Sequence, residues 1–217
     1  MATVEQGTFQ SPTSNTKIPY QVIIPATYTP GGDFTTALYL HGAFNNVDKV
    51  LQYNHSDSLG FKTIADERNI VIFVPYAGKL GLYIDWPEQI DTYNVMQYET
   101  TLMKEWYPAI LKQYVSGPAT DNPSRYIFGI SMGGQGVWNF IAKYPQYFAQ
   151  AGFLSPLALL DLAAIRDLIA TMINEGSIAA HTAMDALQTL LGVPQDLIGE
   201  ALAGLAGAVT GLPVPTD

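Results

Sequence analysis

The sequence predicts an α/β fold: a mostly parallel, twisted sheet with flanking helices, followed by an all-helical C-terminal tail. Three observations lead there. Short runs of branched and aromatic residues recur between helical patterns through the first 155 residues, and one of them, Ile70 to Pro75 (IVIFVP), is continuously apolar. A glycine-flanked serine, Gly129-Ile130-Ser131-Met132-Gly133, separates such a run from a helical pattern. After Ser155-Pro156 only helical periodicity remains. Strand and helix in alternation imply parallel strands joined by right-handed crossovers.

Taken in order, Ile18 to Pro25 (IPYQVIIP) and Ala37 to Leu40 (ALYL) read as strands, with the turn cluster Tyr28 to Asp33 (YTPGGD) between them. A short helix over Leu59 to Arg68 leads into Ile70 to Pro75, whose unbroken apolarity suits a central strand covered on both faces. Asp91 to Tyr114 carries Val95, Tyr98, Leu102, Trp106, Ile110 and Tyr114 at helical spacing, with a kink expected at Pro108. Gly117 to Ser124 is a loop. Tyr126 to Ile130 is a buried strand, Met132 to Tyr144 a helix and Phe148 to Leu154 a further strand. Ser155 is placed to cap a helix that opens on Pro156, and helices are expected over roughly 157–174, 178–191 and 195–209. The expected division is therefore a core over 1–155 and a helical cap or tail over 156–217.

Composition narrows the function classes. The 217 residues are 48% hydrophobic and 13% charged, enough apolar material for one sizeable core. A net charge of −9 repels nucleic-acid phosphates and anionic lipid, so neither is expected as a partner. The imbalance is steepest in the tail, where Arg166 is the single base against seven acidic residues. Cysteine is absent, which removes disulfides and thiolate metal sites. The N-terminal MATVEQGTFQSPTSNTK has no apolar core of a signal peptide, so the default expectation is the cytoplasm, or secretion if a leader has been removed. Ala201 to Pro213 is too short to span a bilayer. No phosphate-binding loop, zinc-protease helix or calcium loop is present, and neither cofactor nor metal is expected.

The chemistry gathers at Ser131. Gly129-Ile130-Ser131-Met132-Gly133 is a G-x-S-x-G, a weak signal alone that gains force from the strand before it and the helix after it. A strand-turn-helix this sharp forces the serine into a strained backbone conformation. Side chains at Gly129 and Gly133 are expected to collide across the turn. The hydroxyl then projects from the carboxyl edge of the sheet, above a helix N-terminus suited to a developing oxyanion. The competing reading makes Ser131 a mere helix cap. The second signal is Leu40-His41-Gly42-Ala43-Phe44, directly after a strand. An oxyanion hole in such a fold takes one N–H from the residue after the serine, here Met132, and another from this loop, here Ala43. Gly42 allows close approach of a substrate, and His41 reads as a structural histidine holding the loop.

In these pieces the chain resembles a known family. YQVIIP, ALYLHGAF, IADERNIVIFVPYAG, YETTLMKEWYPAIL, YIFGISMGGQGVWNFIAKYPQYF and AGFLSP are similar to the esterase D-like branch of the α/β-hydrolases, over about residues 18–156. That branch includes S-formylglutathione hydrolases, feruloyl and acetyl-xylan esterases, and mycobacterial mycolyltransferases. The resemblance implies Ser131 as nucleophile, Ala43 and Met132 as oxyanion donors, and hydrolysis or transfer of an acyl group from a small-molecule or glycan-linked ester.

The pattern then breaks. A serine of this kind needs a base and an orienting acid, ordered serine, acid, histidine along the chain. Eighty-six residues follow Ser131; they hold one histidine, His181, and nothing resembling the last two strands of the fold. Three accounts stay open: a fragment whose missing strands bring acid and base; His181 as base with Asp161 or Asp167 orienting it; or a shortened, catalytically silent relative. His181 lies in an amphipathic helical context, where a surface or half-buried role is the plainer reading. His55 reads as a solvated loop residue. Tyr83 and Trp86, in Gly81-Leu82-Tyr83-Ile84-Asp85-Trp86-Pro87, are candidates to line an acyl or aromatic pocket, with packing against a cap as the alternative. Phe148 to Leu154 leaves an unpaired sheet edge, to be covered by the tail, a second copy or another subunit.

Overall fold

The structure, a computed structural model, describes residues 1–43, 47–48, 50–51, 59–78, 81–85, 97–115 and 124–154. Its centre is a six-stranded sheet. The strands are β1 (Thr3–Gln10), β2 (Lys17–Ile24), β3 (Thr35–Leu40), β4 (Ile70–Pro75), β5 (Arg125–Ile130) and β6 (Gln150–Leu154). They lie in the order β1-β2-β4-β3-β5-β6. β4, β3, β5 and β6 run parallel to one another, whereas β1 and β2 pair antiparallel and β2 meets β4 antiparallel. The α/β class and the largely parallel sheet are as the sequence predicts.

β4 owes its central place to its apolar run. Ile70, Ile72 and Val74 pack on one face with Ala37, Tyr39, Phe61 and Ala65, while Val71 and Phe73 face a second cluster with Leu38, Trp106 and Tyr107. All six residues of the strand are buried. β1 was not anticipated: its burial is that of an edge strand with few apolar residues, so no period-two hydrophobic signal marks it.

The helices are α1 (Phe61–Arg68), α2 (Tyr98–Thr100), α3 (Tyr107–Tyr114) and α4 (Met132–Lys143). A π-helical stretch, Thr101–Trp106, joins α2 to α3 and places Pro108 in the first turn of α3. Proline lacks the N–H that would bond back to residue 104, and its ring crowds that carbonyl. The wider π turn accommodates both conflicts where the sequence predicted a kink. Residues 91–96 of that predicted helix, and the whole of 155–217 with its three predicted helices, lie outside the described residues. Among the described residues no helix is long and apolar enough to cross a membrane.

This arrangement brings the C-terminal ends of β3 and β5 side by side, with Leu40 opposite Gly129. On the other flank of β5, Ile130 faces Leu154 of β6. β6 closes the sheet among the described residues and is largely exposed, with Leu154 at 60%.

Candidate active site

Ser131 ends β5 and precedes α4 with φ 54° and ψ −118°, a left-handed φ that an L-residue adopts only under constraint. The constraint comes from β6 on one side and the first turn of α4 on the other. Its own N–H donates to the Leu154 carbonyl at 2.9 Å, and its carbonyl accepts the Gln135 N–H at 3.1 Å. The side chain makes no capping hydrogen bond, so the helix-cap reading of this serine does not hold. Ser131 is half-buried at the carboxyl edge of the sheet.

The glycines explain why the turn closes. A Cβ on Gly129 would overlap the Gly133 carbonyl oxygen, the clash across the turn expected from sequence. At Gly133 the obstacle is different: a Cβ there would overlap the Leu40 carbonyl oxygen at the end of β3. Gly133 thus lets α4 sit directly on the strand that leads into Gly42 and Ala43. Gly42 lies alongside, where an added Cβ would stand 3.6 Å from the Ser131 Cβ in ordinary contact.

Met132 is buried at the first position of α4, and Gln135 makes the first backbone bond back into the turn. The N–H groups ahead of it point out of the helix end, whose first turn carries no acidic residue. Ala43, half-buried, follows Gly42 in the chain. The structure thus brings Gly42 beside Ser131, which Met132 follows in the chain.

His41 is fully enclosed. Its Nε2 accepts the Ala77 N–H at 3.0 Å, so the proton resides on Nδ1, which faces the Gly42 carbonyl at 2.7 Å. Burial pushes its pKa down to about 4, against a smaller opposing effect of the Gly42 carbonyl. Both nitrogens are engaged with backbone, and the ring stacks on Tyr76 at 5.3 Å. That is the structural histidine the sequence predicts.

Tyr83 departs from the expectation of an exposed pocket aromatic. It is buried, with its hydroxyl donating to the His41 carbonyl at 3.1 Å. The reason is Gly136, which leaves a gap on α4 that the Tyr83 ring fills. Sequence reasoning passed over this role because the spacing of Gly136 along α4 carries no sign of what it faces. Glu99 was also missed: it accepts from Lys143 at 2.7 Å, Tyr144 at 2.9 Å and Asn139 at 3.1 Å. Burial opposes its ionisation, but these donors outweigh it and hold the carboxyl below its ordinary range.

Trp86, His55, His181, Asp161 and Asp167 lie outside the described residues. Among the described residues no cluster of histidine, aspartate and glutamate could hold a metal.

A family model named Esterase, described as "Putative esterase", matches residues 11–190. The chain belongs to this esterase family. Two curated members from Mycobacterium tuberculosis, Esterase MT1326 and Esterase Rv1288, are each 28% identical over 137 residues. The match covers 60% of this chain but 27% of theirs, so the chain spans about a quarter of those relatives' length. An S-formylglutathione hydrolase of Staphylococcus aureus superposes with a TM-score of 0.62 at 16% identity, over 100% of this chain and 78% of that one. Its counterpart from Agrobacterium tumefaciens gives 0.58 at 19% identity, over 82% and 72%. A ferulic acid esterase gives 0.54 at 24% identity, over 72% and 59%. The chain shares its fold with these hydrolase and esterase structures.

Proposed function

We propose that the chain is a serine-dependent carboxylic ester hydrolase working through an acyl-enzyme on Ser131. The observation that carries this is the elbow: a serine held at φ 54° without a capping bond, seated between a helix N-terminus and the Gly42-Ala43 loop. In this reading the Ser131 Oγ attacks the ester carbonyl carbon and its proton passes to a base. The amides of Ala43 and Met132 hold the oxyanion. The tetrahedral intermediate expels the alcohol, which takes that proton, and water releases the acid by the same route. His181 is the candidate base and Asp161 the candidate acid, with Asp167 as its alternative. The proposed substrate is a small-molecule or glycan-linked ester. An acyltransferase would differ in the second acceptor alone.

A fluorophosphonate probe and p-nitrophenyl acetate test the reading. The wild-type chain is expected to label and turn over, and Ser131→Ala to lose labelling and at least about a thousandfold in turnover. A wild-type chain that does neither sinks the proposal. His181→Ala with unchanged turnover removes His181 as base.

A further inference from the structure

Between β4 and α2 the chain passes through two consecutive non-glycine residues in the left-handed region, Leu82 at φ 50° and Tyr83 at φ 57°. Such backbone persists where the surroundings over-determine it. Here every part of Tyr83 is held. Its ring is edge-on to Phe140 at 5.9 Å and to His41 at 5.9 Å, and a Cβ on Gly136 would come within 2.5 Å of its Cδ2. Its carbonyl accepts from Asn139 Nδ2 at 2.9 Å, and the same amide donates to Glu99 at 3.1 Å. Lys143 and Tyr144, at the end of α4 opposite Ser131, complete the shell of Glu99. The remaining polar atom, the hydroxyl, donates to the His41 carbonyl at 3.1 Å.

We infer that Tyr83 is a positioning residue for the oxyanion hole, fixing the Gly42-Ala43 backbone against α4 through its hydroxyl on the His41 carbonyl. The inference rests on Ser131 as nucleophile with Ala43 and Met132 as oxyanion donors. The His41 carbonyl and the Gly42 N–H belong to one planar peptide unit, so holding the oxygen orients that plane. The next joint is Gly42, the residue type with the widest backbone freedom. A donor beyond a glycine joint stays in place when the peptides on both sides are pinned, and the Gly42 carbonyl, in one plane with the Ala43 N–H, is held by His41 Nδ1 at 2.7 Å. His41 supplies one pin, from its ring to Ala77; Tyr83 supplies the other, and ties it to the helix that carries Ser131 and Met132. Oxyanion donors lose most of their value when displaced by a fraction of an ångström, because their benefit is pre-organisation.

Tyr83→Phe removes the hydroxyl and leaves the ring. With p-nitrophenyl acetate, kcat is expected to fall tenfold or more while KM stays within twofold, since the loop acts on the transition state. Hydrogen exchange followed by NMR is expected to accelerate at the Gly42 and Ala43 amides and to stay unchanged along β5. Unchanged kcat, unchanged exchange at those amides, or faster exchange spread through the sheet each overturns the inference, as does a variant that fails to fold. A wild-type chain without esterase activity would be a failure of the catalytic reading; the exchange pattern then decides the Tyr83 clamp on its own.

Discussion

His41 is buried next to Gly42, with both ring nitrogens engaged by backbone. Its pKa, pushed down to about 4 by burial, lies below the ordinary histidine value of 6.5. The unfolded chain binds a proton at this residue from pH 6.5 downward, whereas the folded chain resists until about pH 4. Stability from keeping His41 neutral is therefore complete above pH 6.5 and is lost progressively toward pH 4, roughly 3 kcal/mol in all. His41→Gln should be less stable than wild type at pH 7, with the gap narrowing as pH falls through that window in urea titrations. A gap that stays constant would show that His41 does not stay neutral in the fold. The structural role was legible from His-Gly following a strand. The Ala77 partner was not, because that bond joins the ends of two strands that only the folded sheet brings together.

At the level of elements, the turn after β5 is set by glycines whose reasons differ. Gly129→Ala and Gly133→Ala each drive a Cβ into a backbone carbonyl, and backbone cannot rotate away as a side chain does. Each should cost at least about 2 kcal/mol in equilibrium unfolding. Gly42→Ala meets only ordinary contacts, 3.5 Å or more, and should leave stability within about 0.5 kcal/mol while slowing ester turnover by crowding Ser131. A Gly42→Ala chain that unfolds as readily as Gly133→Ala would remove the distinction. The G-x-S-x-G spacing announced the turn; which carbonyl each glycine avoids depends on the neighbouring strand. The stretch around Pro108 is similar. Proline signals a disturbance in a helix, but whether the chain bends or widens into a π turn depends on the packing of Trp106 and Tyr107 against the sheet.

For the whole molecule, the parallel part of the sheet was readable because β4, β3 and β5 are buried apolar runs between helices. The antiparallel flank was not: β1 is too polar to announce itself, and its pairing with β2 follows from the loop between them, where the Ser11 N–H meets the Thr16 carbonyl. The strand-turn-helix around Ser131 was readable on the same terms, since a glycine-flanked serine between a strand and a helix has a local signature. The base and acid of such a site are brought in by tertiary closure, and no local pattern marks them.

The hydrogen bond from the Ser131 N–H to the Leu154 carbonyl also sets an order of events in time. The turn at Ser131 is flanked by β3, from a distant part of the chain, and by β6, the next strand along it. Contacts so far apart in sequence close late in folding. In refolding from denaturant, far-UV circular dichroism should recover before reactivity toward a fluorophosphonate does. During synthesis, likewise, the elbow would stay unset until the ribosome has released the strand ending at Leu154.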